Sequence, residues 1–489
     1  MTRKGSCVRL SILALALLAF FQLSSAQISP DVKETANKLA GSVYTGPSME
    51  TLRELTDTFG GRLSGSPAHN RAAEWGAEKF RSFGIQNVKL EAFTIPNGWL
   101  RGWARGEILS PLPRPLHIDS LGWAPSTPSG GVKGEVVWID DVSADAIKGK
   151  AAELQGKIVM IDTDKIFADG WVKVLGPVME APQRFKDAGA LAVIFPESDK
   201  NNVISAFSDD WGGRVLALPG AELGMEDSQL IRRLMEKGPV SIQVEVHNTT
   251  SGPTQVNNVV AEIRGSELPD EWIIIGAHLD SWDFGTGAED NGTGAASVIE
   301  VARAIAAAGK APRRSIRFAL WGGEEEGLLG SYAYVQAHLH EMGKCVAVLN
   351  TDNGSGHPKG WKVEGREDLK EAIRPISDSL LKDIGGGDLS MEVTYDTDHG
   401  PFMLQGVPAL DLSVDMKSYM ELHHRSSDTY DKVDPVDFKA GSAIVVATAW
   451  AIAEAPKPIA GHIDHAAVAE ILRKNGLDQL LTTVGQWKP

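Results

Sequence analysis

Residues 273–293 read Ile273-Ile-Ile-Gly-Ala-His-Leu-Asp-Ser-Trp-Asp-Phe-Gly-Thr-Gly-Ala-Glu-Asp-Asn-Gly-Thr293. The apolar run over 272–275 predicts a buried strand, and the strand leads into the pair His278 and Asp280. A glycine-rich turn then presents Asp290 before an alanine-rich helix begins. Histidine and carboxylate side chains at the carboxyl end of an α/β strand are well placed to bind a metal. In such a pair the second residue commonly orients the imidazole, so we expect this role for Asp280.

Strands and helices alternate on both sides of this stretch. We predict strands at residues 88–93, 259–263, 315–321, 346–349 and 406–412, and helices at 49–55, 67–83, 294–308, 328–342, 435–454 and 465–481. Ser66 and Asp434 are predicted helix caps, and each precedes a proline at the first helical position. This alternation predicts an α/β fold with a mostly parallel sheet sandwiched by helices.

The composition changes near residue 110, where proline-rich and glycine-rich segments are typical of linkers. Short strands are predicted at 134–139, 156–161, 190–195 and 241–246, so we interpret residues 111–252 as an inserted β-rich domain. It lacks a carboxylate–histidine set and is expected to shape a cleft or dock a partner. The other predicted divisions are a signal peptide at 1–26, an arm or propeptide at 27–46, α/β parts at 47–110 and 253–455, and a helical tail at 456–489.

The N-terminus has the pattern of a secretory signal peptide. Basic residues at 3, 4 and 9 precede an apolar run at 10–21 that is too short to span a bilayer, and a small-residue cleavage site ends at Ala26. We predict a mature chain that starts at Gln27, is secreted or periplasmic and has no stable membrane span; an uncleaved anchor is the alternative. Cleavage leaves Cys345 as the single cysteine, which excludes an internal disulfide. The formal net charge of −16 argues against nucleic-acid binding.

Acidic residues and histidines follow the later predicted strands. Three glutamates at 324–326 come after the strand at 315–321, Asp352 comes after that at 346–349, and His423 and His424 lie beyond that at 406–412. Side chains from several strand ends converge on one crevice of an open α/β sheet. Nitrogen and oxygen donors of this kind fit zinc, and a bridging carboxylate would let two ions share a water. The pattern differs from the single-zinc motif His-Glu-x-x-His.

The chain resembles the two-zinc metallopeptidases that include leucyl aminopeptidases, glutamate carboxypeptidase II and carboxypeptidase Q. The likeness extends over residues 49–454 and is greatest to carboxypeptidase Q, through Gly276-Ala-His-Leu-Asp-Ser-Trp-Asp283 and the doubled His423-His424. It implies the phosphorylase/hydrolase-like core of zinc peptidases, with residues 111–252 as a protease-associated-like domain. The peptide bond after Asp290 aligns with one that is cis in relatives.

By position, the resemblance implies two zinc ions per chain, bridged by Asp290. The implied ligands are His278, Asp290, Glu325, Asp352 and His424, the implied general base is Glu324, and the residues expected behind the ligands or beside the substrate are Asp280, His399 and His423. In the family, the last histidine ligand lies four residues before an acidic-threonine pair. The pair at 428–429 therefore implies that His424, and not His423, is the ligand. The alternatives are a solvated helix start for 324–326, a turn cap for Asp352 and a plain turn for 398–401.

The resemblance further implies a secreted hydrolase, an exopeptidase that cleaves dipeptides or short peptides with a hydroxide held between the two ions. The carboxypeptidase and aminopeptidase directions both stay open, because the sequence offers charged candidates for either terminus of a peptide substrate. A single-zinc glutaminyl cyclase and a receptor-like ectodomain without catalysis are alternatives from other classes. Relatives are often homodimers, so a dimer is a further expectation.

Overall fold

The computed structural model describes residues 28–168, 170–208 and 210–488. The predicted signal peptide at 1–26 lies outside these residues. The strands are β1 (Asn87–Ile95), β2 (Trp99–Ser110), β3 (Arg114–Leu116), β4 (Ile118–Ser120), β5 (Val132–Ile139), β6 (Ile158–Ile161), β7 (Ala192–Pro196), β8 (Gly220–Leu223), β9 (Ser241–Thr250), β10 (Thr254–Ile263), β11 (Leu268–His278), β12 (Arg314–Trp321), β13 (Cys345–Asn350), β14 (Pro358–Lys362), β15 (Asp388–Ser390) and β16 (Ala409–Val414).

Helices separate most of these strands. The α-helices are α1 (Pro30–Tyr44), α2 (Ser48–Phe59), α3 (Pro67–Ser82), α4 (Ala144–Gly149), α5 (Ala151–Leu154), α6 (Thr163–Ile166), α7 (Trp171–Asp187), α8 (Met225–Met235), α9 (Thr293–Ala307), α10 (Leu329–Ala337), α11 (Glu367–Ile376), α12 (Gly400–Met403), α13 (Lys417–Met420), α14 (Pro435–Glu454), α15 (His465–Lys474) and α16 (Leu477–Thr483). The predicted caps are confirmed: the Ser66 side chain accepts from the His69 amide, and Asp434 accepts from the amides of Val436 and Asp437.

The first sheet has the order β1-β10-β12-β11-β13-β16-β14-β15. The predicted α/β class is confirmed, but the sheet is mixed rather than mostly parallel. Its centre, from β12 through β11 and β13 to β16, is parallel. On its flanks β10 runs antiparallel to β12, and β14 runs antiparallel to β16. The connection between β10 and β11 spans only residues 264–267, too few for a crossover, so β10 reverses direction.

Alternate residues of the central strand β11 face two different hydrophobic clusters. Ile273 and Ile275 lie in a cluster that includes buried residues of α9 and α14. Trp272 and Ile274 lie in the other cluster, with residues of α10 and of the C-terminal helices. Among the described residues, α14 is the one helix long and apolar enough to cross a membrane, and 78% of its apolar window is buried. We interpret α14 as a core helix.

The second sheet has the order β3-β2-β9-β5-β6-β7-β8-β4 and has hydrophobic clusters of its own. It begins at Trp99, before the predicted boundary at 111, because β2 pairs with β9 over nearly its whole length. The chain thus leaves the first sheet after β1 and returns to it at β10. Residues 96–253, between these two strands, form a structural unit that we call the second unit. It lies beside the carboxyl ends of the central strands of the first sheet.

The C-terminal tail connects the two sheets. Two helices, α15 and α16, replace the single helix predicted at 465–481, and Gly476 between them has a φ of 73° that favours glycine. Helix α16 packs against α7 of the second unit. Gln486 Nε2 donates to the carbonyl oxygen of Gly327 at 2.9 Å. The tail therefore contacts both the second unit and the loop that follows the glutamates 324–326.

Candidate metal centre

The predicted metal ligands all lie at or beyond the carboxyl ends of the central strands. His278 is the last residue of β11, Asp290 follows in the loop before α9, Glu325 follows β12, Asp352 follows β13 and His424 lies on the long connection after β16. The parallel direction of these strands brings their carboxyl ends to one edge of the sheet. The backbone alone thus gathers residues that are far apart in the sequence.

Two groups of ligand atoms meet at Asp290. His278 Nε2 lies 3.3 Å from Asp290 Oδ1 and 3.1 Å from Asp352 Oδ1. His424 Nε2 lies 3.4 Å from Asp290 Oδ2 and 3.1 Å from Glu325 Oε2. Two donors that each lie about 2.0–2.1 Å from one tetrahedral zinc are separated by about 3.3 Å. Each of these four pairs therefore has the spacing that a zinc ion requires, and the two oxygens of Asp290 face different histidines.

The orientation of His278 follows from its other ring nitrogen. Nδ1 lies 3.0 Å from the backbone carbonyl oxygen of Asp280, which can only accept, so Nδ1 carries the proton. Nε2 then faces the carboxylates, where it could give its lone pair to a metal ion. The predicted orienting role of Asp280 is thus played by its carbonyl, because its carboxylate Oδ1 is 3.7 Å away. That carboxylate instead accepts from Ser64 Oγ at 2.9 Å.

The centre carries more negative charge than its protein neighbours compensate. Burial is the main reason that the pKa of Glu324 lies well above its usual value. His278 opposes this rise, and the negative charge of Asp352 adds to it. Burial and the neighbouring Asp290 likewise raise the pKa of Glu325. Such crowding of buried carboxylates is costly without a cation. Because nitrogen and oxygen donors converge here at coordinating distances, the residues fit divalent metal ions.

Glu324 stands apart from both groups of ligand atoms. Its Oε2 lies 3.8 Å from His278 Nε2, and its side chain is 11% exposed. Glu325, by contrast, is held by the backbone amide of Trp282, which donates to its Oε1 at 3.2 Å and leaves Oε2 facing His424. The two neighbouring glutamates therefore differ in position as the resemblance implies they differ in role.

Two other predicted histidines occupy different places. His423 stacks on His424 with ring centroids 3.6 Å apart, and its Nε2 lies 3.7 Å from Asp290 Oδ2. It is close to the centre but farther from Asp290 than His424 is. His399 is fully buried, and its Nε2 donates to the carbonyl of Thr394 at 2.7 Å. Burial lowers the pKa of His399, but Glu364, whose Oε1 lies 3.5 Å from Nε2, outweighs this and raises the pKa to about 9, which favours the protonated ring.

Two residues that sequence reasoning missed hold the loops of the centre. Asp428 accepts from three backbone amides, those of Ala288 at 3.0 Å, Glu289 at 2.7 Å and Asp290 at 3.1 Å. In the sequence, the pair Asp428-Thr429 served only to choose His424 over His423 as the expected ligand, and no role was predicted for Asp428 itself. The peptide bond between Asp290 and Asn291 in this loop is cis, as the resemblance implies.

Arg62 is the second of these residues and is fully buried. It donates to the carbonyls of Leu279 at 2.7 Å, Thr286 at 2.7 Å and Gly287 at 2.8 Å. It thereby joins the segment after β11 to the turn before Asp290. Its donors are taken up by backbone carbonyls, so it does not form ion pairs with the ligand carboxylates. No side-chain motif in the sequence marks such a contact.

Comparisons with known proteins identify a family and several relatives of this chain. The model of peptidase family M28 matches residues 258–449. Carboxypeptidase Q of Homo sapiens is 30% identical over 418 residues, which cover 83% of this chain and 85% of the relative. Leucine aminopeptidase 2 of Trichophyton equinum is 29% identical over 377 residues, covering 74% of this chain and 70% of the relative.

A solved structure has the same fold. The peptidase M28 precursor from Shewanella amazonensis superposes with a TM-score of 0.77 at 28% identity, covering 89% of this chain and 99% of that one. The relatives named above are exopeptidases, so the predicted metallo-exopeptidase class and the predicted resemblance are both confirmed. With a relative of 30% identity spanning most of both chains, the chain belongs to peptidase family M28.

Proposed function

We propose that this chain is a secreted or periplasmic exopeptidase that uses two zinc ions to hydrolyse dipeptides or short peptides. The observation that carries the proposal is the position of Asp290, whose two oxygens face separate groups of donors. His278 and Asp352 would hold one ion, Glu325 and His424 would hold the other, and Asp290 would bridge them. The presence of two separate groups of donor atoms also favours a two-zinc peptidase over a single-zinc glutaminyl cyclase.

The chain's own residues support a hydrolytic mechanism. Bound zinc supplies Lewis acidity, which lowers the pKa of water and polarises the scissile carbonyl. Glu324 lies beside the donors without belonging to either group, so it can accept the proton of the attacking water and return it to the leaving amine. The carbonyl of Asp280 keeps the proton of His278 on Nδ1, which preserves Nε2 as a neutral donor atom.

The test of this mechanism is Glu324→Gln. We expect kcat on a dipeptide to fall by about 10²–10⁴-fold, because the base is lost, while two zinc equivalents stay bound. Glu74→Gln, at an exposed position on α3, is the matched control and should retain full activity. Metal content and kcat are measured on the same preparations from Gln27 onward. Near-normal turnover by the Glu324 variant would exclude Glu324 as the base.

The direction of cleavage is a separate question. The similarity to carboxypeptidase Q supports cleavage at the carboxyl terminus of the substrate. The similarity to leucine aminopeptidase 2 supports cleavage at its amino terminus. N-acetylated and C-amidated versions of one dipeptide distinguish the two directions, since the block at the recognised terminus abolishes hydrolysis. We propose the carboxypeptidase direction, because that relative has the greater coverage. Hydrolysis of the acetylated but not the amidated peptide would support it.

A further inference from the structure

A cleft of about 340 Å³ lies between the second unit and the metal centre. One side is lined by His423, His424 and Arg425, and the other by residues of the second unit, among them Phe195. The two sides are joined, since the amide of Ala206 donates to the carbonyl oxygen of His424 at 2.7 Å. A peptide with its scissile bond at the metal centre would therefore extend a neighbouring group into this cleft.

The walls of the cleft are largely apolar. Phe167, Phe195 and Phe207 line it on the side of the second unit, and Phe195 and Phe207 have ring centroids 6.2 Å apart. Met420, 53% exposed, lies on the opposite side at the rim. Such walls suit the methylene stem of a long side chain, which gains free energy when it leaves water.

Three carboxylates line the cleft, Glu197, Asp199 and Glu222, and of these Asp199 is paired with Arg425. Glu222 is 2% exposed, and neither of its oxygens has a hydrogen-bond partner among the described residues. Glu197 uses Oε1 to accept from the amide and hydroxyl of Ser205, at 2.8 and 2.9 Å. Burial, reinforced by Glu197, raises the pKa of Glu222 well above its usual value. A buried carboxylate without a partner is costly, so a cation in the cleft would be bound favourably.

The neighbouring arginines do not supply that cation. Arg425, which also lines the cleft, forms an ion pair with Asp199 and donates to the carbonyl of Glu421. Arg101 opposes the rise in the pKa of Glu222, but its Nε donates to Asp283 at 2.9 Å and it makes no hydrogen bond to Glu222. Within the described part of the chain, neither arginine is hydrogen-bonded to Glu222 or Glu197, so a cationic ligand could pair with these two carboxyl groups.

We propose that this cleft binds a cationic side chain of the substrate, that of lysine or arginine at a residue adjoining the scissile bond. The methylene stem lies along the phenylalanines, and the charged tip is bound by Glu197 and Glu222. This inference rests on the proposed exopeptidase function and narrows its substrate class. A free α-ammonium group has the same chemistry as a lysine tip, so the experiment separates the two sources.

The experiment compares lysine with norleucine, which has the same stem without the charge. We measure kcat/KM on Lys-Ala, Ala-Lys, Nle-Ala and Ala-Nle for the zinc-loaded wild type, Glu222→Gln, Glu197→Gln and the control Glu236→Gln. Glu236 is exposed at the end of α8, away from the cleft lining. We expect kcat/KM for one lysine peptide to be about 10- to 100-fold higher than for its norleucine counterpart. Norleucine has no ammonium group and so cannot form the hydrogen bond to the charged carboxylates. Either cleft variant should reduce that ratio, and Glu236→Gln should not.

The norleucine peptides also report whether each variant is folded and active. Equal rates on lysine and norleucine peptides in the wild type, or a lysine preference that survives in both cleft variants, would overturn the inference. A loss that affects lysine and norleucine peptides equally, and disappears when they are N-acetylated, would assign the carboxylates to the α-ammonium group instead. If no peptide is hydrolysed by zinc-loaded wild type, the proposed function itself fails.

Discussion

Asp290 is the residue on which both groups of donors depend, because each of its oxygens faces a different histidine. Its position in turn depends on Asp428, which binds its backbone amide, and on the turn that Arg62 fixes through carbonyls. In the proposed two-zinc centre, a carboxylate that bridged both ions could not adjust to one of them without moving from the other. The backbone contacts around Asp290 therefore matter as much as the ligands themselves.

The adjacent histidines give the first prediction at this scale. His424→Ala should lower the zinc content from two equivalents to one, because His424 Nε2 lies 3.1 Å from Glu325 and 3.4 Å from Asp290. His423→Ala should retain two equivalents, since His423 Nε2 lies 3.7 Å from Asp290 Oδ2, farther than His424 Nε2 does. Metal analysis after dialysis measures both variants. The reverse pattern would show that His423 is the ligand.

Asp428 gives the second prediction. Asp428→Asn should weaken zinc binding by about 10–100-fold, because the amide side chain replaces a charged acceptor of three backbone amides. Asp431→Asn is the control, since Asp431 is exposed on the same segment. Competition with a chromogenic chelator measures the affinity. Equal affinities for both variants would mean that the loop keeps its shape without Asp428.

The sequence predicts the ligands better than the residues that hold them. His278, Asp352 and Glu325 follow apolar strands, and this placement is visible in the sequence. Arg62 and Asp428 act on backbone carbonyls and amides, so no partner side chain marks them in the sequence. Which carboxylate oxygen faces which histidine is likewise a property of three-dimensional geometry.

At the scale of elements, α1 has a definite structural role. Predicted as an arm or propeptide, residues 27–46 contain a helix whose Ala36, Leu39 and Val43 are buried against α14 and α9. Most of a helix's stability in a protein comes from such a packed face. We therefore propose that α1 is part of the folded enzyme rather than a segment that covers its active site.

This role predicts that Leu39→Ala lowers the free energy of unfolding by about 2–4 kcal/mol, because a buried leucine leaves a cavity. Asn37→Ala, on the exposed side of α1, should change it by less than about 0.5 kcal/mol. Denaturant titrations of zinc-loaded protein give both values. A dispensable helix would make the two variants equally stable.

Elements with strong periodicity or clear caps were predictable, and others were not. The apolar runs of β11 to β13 and the caps Ser66 and Asp434 were visible in the sequence. Helix α7 begins at Trp171 and continues through Pro177 and Pro182, and because a proline normally marks a helix boundary the sequence does not reveal its length. The short strands β14 and β15 were missed for different reasons: β15 is a three-residue edge strand, and β14, which lies between β16 and β15, is a five-residue segment that contains Pro358 and Gly360.

At the scale of the molecule, metal binding and folding should be coupled. Removing zinc leaves Asp290, Glu324 and Glu325 crowded without a cation, so a chelator should lower Tm by at least about 2 °C. Added zinc should restore the Tm, and His424→Ala, with one site impaired, should show a smaller change. Thermal unfolding with and without chelator measures this. An unchanged Tm would indicate that the ions contribute little to the folded state.

The order of the ligands along the chain has a consequence for biosynthesis. His278, Asp290 and Asp352 leave the ribosome well before His424 and Asp428, and α14, which packs on α9, emerges later still. A nascent chain therefore holds one set of donors while the other is still inside the exit tunnel. A chain that ended before residue 424 would lack both the His424 donor and the core helix α14, so the second group of donors around Asp290 could not be completed.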